Sequence, residues 1–420
     1  MGTRTWVGMA IIMSMWAANL AVAADWSLVP SVNLTTEYNS NINTTPTGST
    51  GSSGSTGKLS DFIFTLNPAA AFIHTTEASK LQGNVGISQL LYVKNTGYNH
   101  TDQNYQINGQ YSLTPRFNVF LSTSFISDST SLQELLASGL SITRTPRLSF
   151  TAGPGLSYNL TERLSAILNY NFNKVVYQPS QSTQAQNLQN YSTQSVSMVF
   201  QYLLSEKTTL SNTVSGTEST YTGSTSSDYK SLSYSLGLQH NYSANWQFNL
   251  AGGVNYSFYS SNSQISSFGQ FPNFVSVPTQ TQKGTNFSPN FNIGATRRWT
   301  NLSITGSFIR NQQATGAGYI SDVTALSLGM NYQFTEKLTG SLGGSYSLSS
   351  QSSSTSQNRN NYYNVGPQLG YQITERLTAS STYRFSNQSY KGNNISSSTS
   401  ANVHDISLML NYSYPMHYQK

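Results

Sequence analysis

Apolar and polar residues alternate with a period of two along most of this chain. Leu232, Tyr234, Leu236, Leu238 and Tyr242 oppose Ser233, Ser235, Gly237, Gln239 and Asn241. Trp246, Phe248, Leu250, Val254, Tyr256 and Phe258 oppose Gln247, Asn249, Ala251, Gly253, Asn255 and Ser257. Successive side chains of a strand point to opposite sides, so this period predicts strands with one apolar and one wet face. The first strand is read over Trp26 to Tyr38, the last over Asp405 to Tyr414.

The strands are punctuated by a repeated turn. Tyr332-Gln333-Phe334-Thr335-Glu336-Lys337-Leu338-Thr339 returns as Tyr371-Gln372-Ile373-Thr374-Glu375-Arg376-Leu377-Thr378 and as Tyr158-Asn159-Leu160-Thr161-Glu162-Arg163-Leu164-Ser165. Looser copies lie near Thr114, Ser205, Ser243, Arg297 and Thr76, about forty to fifty residues apart, as a repeated hairpin unit requires. Between the short turns run longer stretches rich in Ser, Asn, Gln and Gly. Eight short turns and nine long loops join eighteen strands, with both termini on the short-turn side. Short periplasmic turns, long extracellular loops and an even strand number predict an all-β fold, a transmembrane antiparallel up-and-down β-barrel of 16–18 strands.

Composition separates this reading from a soluble sandwich. Only 9% of the residues are charged and 12% are aromatic, with 27 Tyr and no Cys. A soluble β-domain carries far more charge, and disordered chains lack aromatics and periodic apolar residues. Trp246, Trp299, Phe117, Tyr202, Tyr242 and Phe334 gather beside the short turns, where an interfacial girdle belongs. Residues 1–23 read as a signal peptide: Arg4, an apolar run from Trp6 to Leu20, and an Ala21-Val22-Ala23 cleavage site. The barrel is then 24–420. Without Arg4 the balance is 20 basic to 15 acidic residues, a net of +5. That excess is spread thinly and forms no nucleic-acid patch.

The inward face predicts the chemistry of the lumen. Glu37, Tyr92, Lys94, Gln201, Gln239, Asn249, Asn255, Gln368, Arg384 and Asp405 are read as lumen-facing. They are mostly neutral hydrogen-bonding groups, without the charged ring that sets ion selectivity. Two loops stand out. Ser131-Leu132-Gln133-Glu134 is a capping box that predicts a helical turn. Phe268, Phe271 and Phe274 make their loop too apolar for a solvated linker; it either constricts the lumen or packs on the rim.

The start Thr36-Glu37-Tyr38-Asn39-Ser40-Asn41-Ile42 and the Thr-Glu-(Arg/Lys)-Leu turns resemble the β-barrel porin 2 family of Gram-negative outer-membrane proteins. The resemblance implies outer-membrane transport, in some members beside exopolysaccharide export systems, and brings no catalytic residues. The C-terminus departs from the usual aromatic ending, because Gln419-Lys420 follow Tyr418.

No enzyme, metal or cofactor is expected. His74, His100, His240, His404 and His417 are scattered, and no Gly-x-Ser-x-Gly elbow occurs. The expected partners are outer-membrane lipid, polar solutes or polysaccharide, and a periplasmic or export component. Three rivals remain: a plugged barrel that binds a partner or surface polymer, a sleeve around another protein, and a rim enzyme, which would show a converging His/Asp/Ser set.

Overall fold

The computed structural model describes residues 25–44, 58–129, 145–178, 188–222, 227–263, 280–316, 318, 320–351, 359–391 and 399–419. The signal-peptide reading, the capping box and Phe268, Phe271 and Phe274 fall outside the described residues.

Eighteen strands form one antiparallel sheet in sequence order. They are β1 (Asp25–Asn39), β2 (Asp61–Thr75), β3 (Ser79–Tyr92), β4 (His100–Thr114), β5 (Phe117–Ser129) and β6 (Pro146–Asn159). Next come β7 (Leu164–Tyr177), β8 (Asn190–Ser205), β9 (Thr208–Thr222), β10 (Ser227–Ser243), β11 (Trp246–Ser263) and β12 (Gln280–Arg298). The last are β13 (Leu302–Ala314), β14 (Ile320–Gln333), β15 (Leu338–Gln351), β16 (Arg359–Gln372), β17 (Leu377–Lys391) and β18 (Thr399–Ser413). Pro415 interrupts β18, which resumes as Met416–Gln419 in the same register against β1. β1 pairs with both β2 and β18, so the barrel is closed. Closure removes the open edges that a sheet cannot expose in lipid. Among the described residues the sole helix is one 3₁₀ turn, Thr96–Tyr98.

The register sorts the faces. Leu34 pairs with Leu66 and Leu410, and all three are exposed on the outside, as are Leu232, Leu236, Leu328 and Leu408. A closed barrel that turns its large apolar side chains outward has inverted the soluble pattern; its outer belt suits lipid. Opposite this belt, amides and hydroxyls bond across strands. Asn411 donates to Asn33, Asn33 to Asn67 at 3.1 Å, and Asn67 to Ser88 at 2.6 Å, a chain that crosses the closure seam.

The repeated turn has a local cause. In the β14–β15 turn, Thr335 Oγ1 accepts from the amides of Lys337 (3.3 Å) and Leu338 (3.0 Å). Thr374 does the same for Arg376 and Leu377, and Thr161 for Arg163 and Leu164. A hydroxyl at this place satisfies amides that the ladder leaves free. Beside these turns the girdle residues pack on cations: Arg297 lies 4.6 Å from the Trp246 ring and 4.2 Å from the Trp299 ring, and Arg376 lies 4.1 Å from Tyr414.

Two lengths differ from the sequence expectation. The sequence pattern leaves 95–102 and 312–321 among the long polar loops, yet β4 already begins at His100. Half of the stretch 312–321 is strand, because β13 runs to Ala314 and β14 starts at Ile320.

Candidate channel and its constriction

The register puts the residues singled out in the sequence as follows. Glu37, Tyr92, Gln201, Gln239, Asn249, Asn255, Gln368, Arg384 and Asp405 fall on the face opposite the apolar belt. Gln239 pairs with Asn249, and Arg384 with Asp405. Lys94 lies elsewhere: β3 ends at Tyr92, so Lys94 is a loop residue with an exposed side chain, and its backbone amide does the bonding.

That amide belongs to a clamp. The carboxylate of Asp61, 1% exposed, accepts from the backbone of Phe62 (2.8 Å), Lys94 (3.0 Å) and Asn95 (2.7 Å), and from the Asn95 side chain at 2.8 Å. A carboxylate held by this many donors is satisfied without a cation. It ties the β3–β4 loop to the start of β2. Beside it Ile42, Ile63 and Tyr92 form a buried apolar cluster, packed by Leu59, Leu90 and Tyr98, on the inner face. Arg147 and Asp128 make a two-pronged ion pair at 2.9 and 2.7 Å, also on the inner face.

The lumen narrows through the β13–β14 hairpin. β12 and β13 pair only from Phe291↔Arg310 to Arg298↔Ser303, whereas β13 and β14 pair to Ala314↔Ile320. Beyond Arg310 β13 parts from β12, while β14 keeps its pairing with β15 up to Ser321↔Gln351, and the free side of the hairpin leans inward. Ser257 Oγ, on the inner face of β11, donates to Gln312 Oε1 at 2.9 Å. The Tyr229 hydroxyl lies 2.6 Å from Ser257 Oγ and also meets Gln312. Ser288 donates to Asp322 at 3.2 Å. At the tip, the Thr315 amide donates to the Tyr221 hydroxyl at 3.3 Å, and the Gln189 amide to the Gly316 carbonyl at 2.7 Å. The tip therefore reaches the inner wall at β7–β9, several strands from its root.

Burial follows this seat. Tyr221, Tyr229, Ser257, Ser288, Thr315 and Ile320 are all buried, although the wall residues among them face the lumen. Gly316 lies against the Tyr177 ring, where a Cβ would collide with the phenol. Gly318 holds φ +84°, a conformation glycine adopts without strain.

The physical reason lies in the outer face of the hairpin. On β13, Leu302, Ile304, Gly306 and Phe308 are followed by Arg310 and Gln312; on β14, Asp322 and Thr324 precede Leu326. Neighbouring β11 and β12 stay apolar to Phe258 and Phe287, beyond the level of Arg310. Polar groups facing hydrocarbon are costly, and the wall's inner hydroxyls offer them partners.

The two ends of the lumen differ. Toward the short turns Gln239, Asn249, Asn292, Gln368 and Arg384 are exposed. Toward the long loops, inner-face Asn360, Tyr362, Ser386, Gln388, Ala401 and Val403 are buried.

One His/Asp/Ser set does converge. Ser129 Oγ lies 3.1 Å from His100 Nε2, and Asp102 Oδ1 lies 3.3 Å from that same nitrogen. His100 Nδ1 is engaged by the Tyr98 carbonyl at 2.6 Å. In a catalytic relay the acid holds the nitrogen opposite the one that faces the hydroxyl. Here both meet Nε2, so the set is a bonded rim cluster. Among the described residues no group of three or more metal-ligating side chains converges.

No protein-family model and no curated protein sequence matches the chain at a significant level. Solved structures do. The ferric-catecholate import receptor Fiu of E. coli is similar with a TM-score of 0.48 and 9% identity, over 92% of this chain and 81% of that one. OccAB3 of Acinetobacter baumannii gives 0.43 and 10%, over 93% and 99%. OpdK of Pseudomonas aeruginosa, solved with vanillate, gives 0.42 and 10%, over 94% and 99%. Likeness at this level carries no argument about activity, and the fold rests on the strand register.

Proposed function

We propose that the protein is a porin-like channel of the Gram-negative outer membrane, exported through a cleaved signal peptide. Its substrates are neutral polar solutes or a glycan chain, in the setting of exopolysaccharide export that the family resemblance implies. One observation carries this reading: a closed eighteen-stranded barrel has an apolar exterior and a largely uncharged polar interior, narrowed by its own hairpin. Barrels of this size leave an aqueous lumen unless something fills it. Amides and hydroxyls replace the hydration of a neutral solute without attracting one sign of ion. Catalysis has no part in the proposal.

A second reading has its own support. The buried inner face at the long-loop end favours a plugged barrel whose loops bind a partner or a surface polymer. Swelling of liposomes that hold the refolded protein separates the two. The channel reading predicts entry of neutral sugars at rates that fall with size and do not respond to charge. A correctly folded barrel that admits no sugar would overturn it in favour of the plug.

A further inference from the structure

The hairpin that turns inward leaves a fork in the barrel wall. Below Phe291↔Arg310 the ladder between β12 and β13 is intact; above it, the β12 edge from residue 280 to 290 has no β13 partner. Arg310 stands at the fork, on the outer face by register. Its Nε is shut off from solvent and has no hydrogen-bond partner, and among the described residues it enters no ion pair. Asp322, the acid on the next strand, is engaged by Ser288 of the inner wall. On the outside the fork is flanked by Phe287, 65% exposed, and Phe291, 40% exposed.

An arginine on the lipid side without a counter-ion is unfavourable. Arg310 is the ninth residue of β13. At about 3.3 Å per residue and a tilt of about 40°, it lies roughly 20 Å above the short-turn end, in the upper part of an apolar band of about 25 Å and within a long side chain's reach of the far headgroup layer. Because Nε is covered by the protein, the two terminal nitrogens of the guanidinium are the ones left to meet a phosphate in a forked contact, and the phenylalanines offer an apolar surface to acyl chains. We propose that the fork is a binding site for a lipid with a phosphate headgroup, with Arg310 holding the phosphate and Phe287 and Phe291 the chain. The site rests on the barrel lying in lipid and not on whether the lumen conducts.

The test uses the purified barrel in neutral detergent micelles, so conduction does not enter. Retention of phosphatidic acid, phosphatidylcholine and diacylglycerol with identical chains is read by native mass spectrometry. Wild type is expected to retain phosphatidic acid in preference to the other two. R310Q should lower that retention about tenfold, as loss of a two-pronged charged contact does. R310K should fall between, and K174Q, on the outer face of β7 away from the fork, should change nothing. F287A, which leaves Arg310 in place, gives an independent variant and should weaken retention by a smaller factor. Equal retention of the three lipids by wild type, or unchanged retention in both R310Q and F287A, would overturn the site. Displacement of the lipid by an equal concentration of inorganic phosphate would also overturn it, reducing the fork to a site for an adventitious ion only.

Discussion

A threonine hydroxyl organises each strict copy of the short turn, and its removal has a bounded cost. Thr374→Val keeps the shape but strands the amides of Arg376 and Leu377. We expect a loss of about 1 kcal/mol in urea unfolding, the usual worth of such a bond. No change would mean that water serves those amides equally well. The face assignment makes a sharper contrast between neighbours. Leu408 is 61% exposed on the outside, and Ser407 lies on the inner face. Leu408→Arg should cost about 2–4 kcal/mol if it lies near the midplane, and Ser407→Arg much less. Equal costs would refute the register of β18. These single positions were legible in the sequence because hydroxyl turns and a period of two are local signals. Lys94 was not: the alternation was carried past the end of β3, and the Asp61 clamp that stops the strand joins residues 33 and 34 positions apart.

Strand number, order and the eight short turns followed from repeats, and the structure has all of them. The constriction did not follow in the same way. Apolar residues at Phe268, Phe271 and Phe274 drew attention to a loop that lies outside the described residues. The described residues carry a different inward element, the β13–β14 hairpin. Its signal was present but negative: the apolar face of β13 ends at Phe308, and polar Arg310, Gln312 and Asp322 occupy the corresponding outer positions. The partners, Tyr221, Tyr229, Ser257 and Ser288, lie 34 to 94 residues away, so no local pattern announces them. If polarity drives the hairpin inward, the double variant Q312L/D322L should release it. We expect a larger conductance and loss of the Tyr229–Gln312 contact, read as tyrosine accessibility to iodination. An unchanged conductance with Tyr229 still protected would show that the backbone bonds of Thr315 and Gly316 hold the tip alone.

The barrel as a whole separates two environments by the same alternation that forms it. One face supplies an apolar outer belt and the other a largely uncharged, hydrogen-bonding inner face, exposed toward the short turns and packed toward the long loops. Composition made this division legible, since a chain with 9% charge and 27 Tyr fits poorly in water. How far the lumen is filled was not legible, because it depends on long-range seating of loops and hairpins. The most direct measurement is single-channel conductance of the refolded protein in planar bilayers, for wild type and for a variant whose tip, residues 312–322, is replaced by a short glycine-serine turn. We predict steady, weakly ion-selective currents from wild type and larger ones from the variant. Silence from both, with each protein folded as a barrel, would contradict a channel narrowed by this hairpin.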